Sequence, residues 1–185
     1  GRQGPILFPG VLSPKEMAQS VTNEEKKTIL IVEDHKDIRL YLKVLFGNEY
    51  NLLMATNGQE GVDMAMKELP DLIICDVLMP GMSGFEVTRS DVMMPVKDGF
   101  ECCREVKENP ETCSIPFIML TAKVEDDDII HGLELGADDY VLKPFTPGIL
   151  KAKVSNLING RQTLKQMYAK LFKLPGADAV DADET

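Results

Sequence analysis

Glu33, Asp34, Asp76, Thr121 and Lys143 are the residues whose types and spacing could do chemistry together. Each follows a short apolar run. Ile29-Leu30-Ile31-Val32 precedes the acidic pair, Leu72-Ile73-Ile74-Cys75 precedes Asp76, Phe117-Ile118-Met119-Leu120 precedes Thr121, and Tyr140-Val141-Leu142 precedes Lys143. If the runs are parallel strands of one sheet, their carboxyl ends form one edge, where open α/β sheets bind ligands. Three carboxylates gathered there repel and raise one another's pKa. A hard divalent cation held by oxygens, with waters completing an octahedron, relieves that repulsion, and Mg2+ fits best. A lysine and a threonine beside it could hold phosphoryl oxygens. The set reads as a site for phosphoryl transfer by positioning and charge neutralisation.

Each residue alone has a plainer explanation. An acidic pair after a strand is often a helix N-cap. Asp76 suits a turn, Thr121 suits a strand end, and Lys143 could be a solvated charge. Their recurrence at successive strand ends carries the functional reading.

The elements that must position these residues alternate along the chain. Thr28 to Val32 is short and rich in β-branched residues, as suits a strand buried on both faces. Ile38, Tyr41, Leu42, Leu45 and Phe46 then repeat at helical spacing, and Gly47-Asn48 stops them. A strand over Tyr50 to Ala55, a helix over Gln59 to Leu69 and a strand over Asp71 to Asp76 follow. Farther on come a helix over Gly99 to Glu108, with Phe100, Cys103 and Val106 on its buried side, and a strand over Pro116 to Leu120. A helix over Asp126 to Leu135 closes at Gly136, and Tyr140 to Leu142 is the last strand. From Pro147, a favoured first helical residue, a long helix reaches about Phe172. Strands alternating with helices predict an α/β fold, a doubly wound five-stranded parallel sheet. The domain is expected over residues 28–160. Residues 1–27 read as a linker or tail, and 161–185 as the extended last helix followed by a disordered acidic linker.

The 185 residues suit one domain with tails, and 44% hydrophobic content is enough for a core. A net charge of −10 argues against a nucleic-acid or anionic-membrane surface within this chain. The four cysteines form no CxxC pair, and only His35 and His131 could join them, so structural zinc is not expected. Reduced thiols and a cytoplasmic location are the expectation. No apolar run approaches a membrane span, and Pro5 to Leu12 is not read as a signal peptide.

Val32-Glu33-Asp34, Asp76-Val77-Leu78-Met79-Pro80-Gly81, Leu120-Thr121-Ala122 and Leu142-Lys143-Pro144-Phe145 together resemble the ordered motifs of response-regulator receiver domains. The resemblance covers about residues 27 to 160 and implies the flavodoxin-like (βα)5 receiver fold. It implies Asp76 as phosphoacceptor and a Mg2+ held by Glu33, Asp34, Asp76 and the backbone carbonyl of Leu78. Asp34 would bind the metal directly and Glu33 through water. It implies Thr121 and Lys143 as readers of the phosphoryl group, a cis Lys143–Pro144 bond, and Thr121 and Tyr140 as the switch pair. The partner would be a histidine kinase domain, in cis or in trans. The switched surface would lie around the fourth helix, last strand and last helix. The long last helix and acidic tail resemble receivers within hybrid sensor kinases that continue into an AraC-type DNA-binding domain, hence transcription regulation. A homodimer through the last helices is a further expectation.

An internal repeat departs from that family. Asp76-Val-Leu-Met-Pro-Gly-Met-Ser-Gly-Phe-Glu86 returns 15 residues later as Asp91-Val-Met-Met-Pro-Val-Lys-Asp-Gly-Phe-Glu101, identical at 7 of 11 positions. The spacing from Asp34 favours Asp76 (42 residues, against 57 to Asp91), whereas the spacing to Thr121 favours Asp91 (30, against 45 from Asp76). An insertion is therefore expected between strand 3 and helix 3. A central parallel strand must be apolar on both faces. Leu72 to Cys75 satisfies this; Phe85 to Ser90 would bury Glu86 or Arg89, at a cost of several kcal/mol in order of magnitude. Asp76 is the expected phosphoacceptor, with Asp91 the alternative, and residues near 77 to 98 form an enlarged loop.

Other functions fit less well. A phosphorylation-incompetent, receiver-like interaction module is the main alternative. Aspartate-nucleophile phosphohydrolases place a second acid two residues on, where this chain has Leu78. A flavin site would need a phosphate-binding loop where Glu33-Asp34 stands. No kinase glycine motif appears. The chain is read as a signalling domain, not an enzyme.

Overall fold

The computed structural model describes residues 25–77, 99–122 and 126–172. Five strands form one parallel sheet: β1 (Thr28–Val32), β2 (Asn51–Ala55), β3 (Leu72–Asp76), β4 (Phe117–Thr121) and β5 (Asp139–Leu142), in the order β2-β1-β3-β4-β5. Five helices among the described residues connect them: α1 (Lys36–Phe46), α2 (Gly58–Glu68), α3 (Gly99–Glu108), α4 (Asp126–Glu134) and α5 (Pro147–Phe172). This is the expected doubly wound α/β architecture, and the strand order reverses at β1, between β2 and β3.

The strand runs are apolar throughout because the sheet is covered on both faces. Leu30, Val32, Ile73, Cys75, Phe117 and Met119 point to one side, where α2 and α3 cover them with Val62, Ala65, Cys102, Cys103 and Val106. Ile29, Ile31, Leu72, Ile74, Ile118 and Leu120 point to the other, under Leu42 and Phe46 of α1 and Leu150, Val154 and Ile158 of α5. Successive residues alternate sides with the strand period of two. All five residues of β3 are buried, as a central strand requires. Tyr41, expected on the buried side of α1, is 45% exposed, because Leu42 and Phe46 already fill the contact with the sheet.

Gly61 lets α2 lie close to β1, since a methyl group there would press on Val32. Gly136 closes the α4 region with φ +97°, a left-handed conformation suited to glycine. The last helix has two halves. Leu150, Val154 and Ile158 pack on the sheet, whereas Leu164, Met167, Leu171 and Phe172 are exposed. No helix among the described residues is long and apolar enough to cross a membrane. The expected linker over most of residues 1–27 and the acidic stretch after Phe172 lie outside the described residues.

Candidate functional site

The acidic pair follows β1 because the ladder ends there: the Glu33 amide donates to the Ala55 carbonyl, and the chain then turns into α1. The helix N-cap is His35, not either acid. One Glu33 oxygen, Oε1, accepts the His35 amide at 3.1 Å, and the other, Oε2, accepts Lys143 Nζ at 3.2 Å. Sequence reasoning missed Arg39. Its guanidinium donates to the carbonyls of Glu33 (2.8 Å) and Asp34 (2.6 Å), clamping the turn that presents both acids. The available signal was a basic residue in the opening turns of the helix after an acidic pair, which is too common to single out.

Asp76 ends β3 between β1 and β4. The next amide, Val77, donates to Leu120 and extends the ladder by one residue. Carboxylate oxygens of Glu33, Asp34 and Asp76 lie within 4.8 Å of one another, close enough to share one cation. Glu33 and Asp76 are buried, as is Thr121 at the end of β4. Lys143 comes after β5, its amide bonded to the Thr121 carbonyl at 2.7 Å, and its Nζ lies 3.0 Å from Asp76 Oδ2. The Lys143–Pro144 peptide is cis. Four strand ends thus bring together all five residues singled out in the sequence.

The electrostatics follow from this crowding. Burial, then the Asp76 charge, push the Glu33 carboxyl up to about 7 from 4.5, against the pull of Lys143. Burial pulls the Lys143 ammonium down, but hydrogen bonds and charge from Asp76 and Glu33 outweigh it and leave its pKa raised. One cation between two buried carboxylates leaves a local excess of negative charge. That donor set, all hard oxygens, suits Mg2+.

Tyr140 lies on β5 with its ring against α4, where a methyl group on Gly132 would overlap its hydroxyl and ring. Gly132→Ala is expected to expel the ring at a cost of no more than about 1–3 kcal/mol, read as a displaced tyrosine ring resonance with a small change in melting temperature.

The repeat is divided in the structure. Copy one supplies Asp76 and Val77; copy two supplies Gly99, Phe100 and Glu101, which open α3. The Gly99 amide meets the Val77 carbonyl at 3.4 Å, and a side chain on Gly99 would collide with the Asp76 carbonyl. Val77 of the first copy and Gly99 of the second therefore lie side by side. The alternative acceptor Asp91, the Leu78 carbonyl and the expected enlarged loop lie outside the described residues.

Comparison with known proteins agrees with this geometry. The family model described as "Response regulator receiver domain" matches in two stretches, residues 29–90 and 90–155, which meet between the two repeat copies. "Histidine kinase P4" of Formosa agariphila is 36% identical over 86% of this chain, covering 10% of that protein. The phosphate regulon transcriptional regulatory protein PhoB of Pseudomonas aeruginosa is 40% identical over 71% of this chain, covering 52% of that protein. The chain thus spans a tenth to about half the length of these relatives. The solved receiver domain of a signal transduction histidine kinase from Syntrophus aciditrophicus is 30% identical, covers 86% of this chain and 98% of its own, and superposes with a TM-score of 0.60. The chain belongs to the response regulator receiver domain family.

Proposed function

We propose that Asp76 is the phosphoacceptor of a two-component phosphorelay. The observation that carries this is the meeting of the Glu33, Asp34 and Asp76 carboxylates within 4.8 Å, with Lys143 at 3.0 Å from Asp76. A carboxylate oxygen of Asp76 attacks the phosphorus of a phosphohistidine on a histidine kinase domain, in cis or in trans. The P–N bond breaks, the imidazole leaves and takes up a proton, and an acyl phosphate forms. Glu33, Asp34, Asp76 and the Leu78 carbonyl would hold Mg2+, which supplies charge neutralisation for the transferring group. Lys143 pairs with the new phosphoryl oxygens, and the Thr121 hydroxyl donates to another. Lys143 already lies 3.0 Å from Asp76 and Thr121 ends the adjacent strand β4, so the added charge would draw both inward. Tyr140, against Gly132, follows Thr121 and carries the change to α4, β5 and α5.

The reading places the chain in the cytoplasm, within a larger hybrid kinase and transcription regulator, and acting as a homodimer through its last helices. A phosphorylation-incompetent module would have no reason to keep three acids gathered around a lysine, since that arrangement costs stability without a cation.

Incubating the folded chain with acetyl phosphate and Mg2+ tests the proposal. Intact mass should rise by one phosphoryl group, and EDTA should prevent the gain. A folded chain that binds Mg2+ but never gains mass would instead be the interaction module.

Glu33 also predicts a pH dependence. Its folded pKa, about 7, lies above the ordinary 4.5. Protons therefore compete with the cation, and Mg2+ affinity should rise about tenfold between about pH 6 and about pH 8. For a raised carboxyl, the stability contribution is present below the unfolded value and is lost as pH rises through the folded one. Melts in EDTA should therefore lose stability between about pH 4.5 and about pH 7, and saturating Mg2+ should remove that loss. A pH-independent Mg2+ titration would contradict it.

A further inference from the structure

Positive charge collects at the edge of the sheet opposite Asp76, in a chain whose net charge is −10. A small pocket of about 40 Å3 lies there, lined by Lys27 before β1, Asp71 before β3, and Ile158, Arg161, Gln162 and Lys165 of α5. That volume holds about three waters or one small oxyanion. Asp71 and Asp76 stand at opposite ends of β3, roughly 16 Å apart along the strand, so the pocket is separate from the acidic site.

Arg161 is half-buried, and every acceptor it meets among the described residues is neutral. Its Nη1 donates to the carbonyls of Pro70 and Asp71, both at 3.5 Å, and its Nη2 to the Ser114 hydroxyl at 3.3 Å. All three bonds are long for their kind. The Nε is buried and has no acceptor among the described residues. An unfilled buried donor is costly, and a guanidinium withdrawn from water ordinarily faces a carboxylate or a phosphate. Lys27 and Lys165, the latter one turn farther along α5, form no ion pair among the described residues.

The acids nearby are engaged elsewhere. Asp71 Oδ2 accepts the Thr28 amide at 2.8 Å, Asp138 pairs with Lys107 at 2.9 Å, and Glu49 pairs with Lys151 at 3.4 Å. The pocket itself sets three cations against the single carboxylate of Asp71. That excess matches a dianion better than chloride or a lone carboxylate.

We propose that this pocket binds a free tetrahedral dianion of phosphate size, held by Arg161, Lys165 and Lys27. The long bonds from Nη1 give way easily as the anion enters, and Nε then gains an acceptor. Gln162 offers a neutral amide beside the cations. The bound ion ties α5, at the point where its buried face ends with Ile158, to the entries of β1 and β3.

Titration of the full chain with inorganic phosphate tests the site. EDTA keeps metal from drawing the anion to the carboxylates, ionic strength is held constant, and at about pH 8 phosphate is mostly the dianion. The proton–nitrogen resonance of Arg161 Nε should shift and saturate in the millimolar range. Sulfate should reproduce the shift, and chloride should not. Lys165→Glu should weaken phosphate binding at least about tenfold, and Lys165→Gln about threefold. Lys165 is exposed and far from Asp76, so phosphoryl uptake from acetyl phosphate should be unchanged in both variants, which shows that they fold. O-phosphoserine should bind no more tightly than phosphate, because the pocket has room for the anion alone; binding tenfold tighter would overturn the reading of a free anion. No saturable shift, a shift equal with chloride, or phosphate binding that Lys165→Glu leaves unchanged overturns the site. None of these results bears on Asp76, which is judged by phosphoryl uptake.

Discussion

Asp76→Asn is expected to abolish phosphoryl uptake from acetyl phosphate, by at least about a hundredfold, whereas Asp91→Asn leaves it within about twofold. The asparagine keeps the shape of the side chain but removes the nucleophilic carboxylate. The choice between the two aspartates rests on what stands before them. Leu72, Ile73, Ile74 and Cys75 are fully buried between β1 and β4. Moving Asp91 into the same place would thread Phe85 to Ser90 through the centre of the sheet and bury Glu86 or Arg89 without a partner. The same logic predicts that deleting residues 78–92 preserves both the fold and phosphorylation. That deletion joins Val77 to Met93 and leaves one complete copy of the repeated segment. The Gly99 amide already bonds to the Val77 carbonyl, so the shortened segment has to connect residues that lie side by side in the intact chain. Peptide mapping of the phosphorylated chain decides the matter directly, and uptake that follows Asp91 would overturn the assignment.

Lys143→Met is the second large effect. Methionine retains the apolar stem and removes only the ammonium. In metal-free solution, Glu33 and Asp76, with side chains 1% and 6% exposed, would lose the cation that lies 3.2 Å and 3.0 Å from them. Removing one partner of a buried ion pair costs about 3–5 kcal/mol. Glu33 can relieve part of this by holding its proton, so the expected loss in EDTA is about 3 kcal/mol near neutral pH. Saturating Mg2+ should recover most of it, because the metal supplies positive charge to the same carboxylates. Chemical denaturation with EDTA and with Mg2+ measures both values. Equal destabilisation in the two buffers would mean that Lys143 acts by packing and not by charge.

The apolar runs before the five key residues were legible because a central parallel sheet leaves no polar face: each strand reads as a continuous hydrophobic stretch. Helix boundaries fell within a residue or two of those observed, since Pro147, Gly47 and Gly136 mark helix ends by local backbone chemistry. The buried side of a helix was harder to read. Tyr41 shares the helical spacing of Leu42 but is exposed, and Cys102, absent from the expected face of α3, is fully buried beside Cys103. Periodicity shows that a helix has an apolar stripe, but the neighbouring helix and sheet decide which edge of it is covered. The Arg39 clamp was likewise illegible, because its acceptors are backbone carbonyls, which every residue possesses.

The amino-acid sequence by itself determined the alternation of strands and helices, the identity of the acids, threonine and lysine at the strand ends, and the presence of a repeated segment. Those are consequences of local composition and period. Tertiary structure decided that the strand ending at Asp76 of the first copy meets the helix opening at Gly99 of the second so closely that a side chain at Gly99 would collide with the Asp76 carbonyl, an approach that the order of residues along the chain does not show. It also decided that the Glu33 pKa is raised, since burial and the nearness of Asp76 arise only when strands distant in sequence lie side by side.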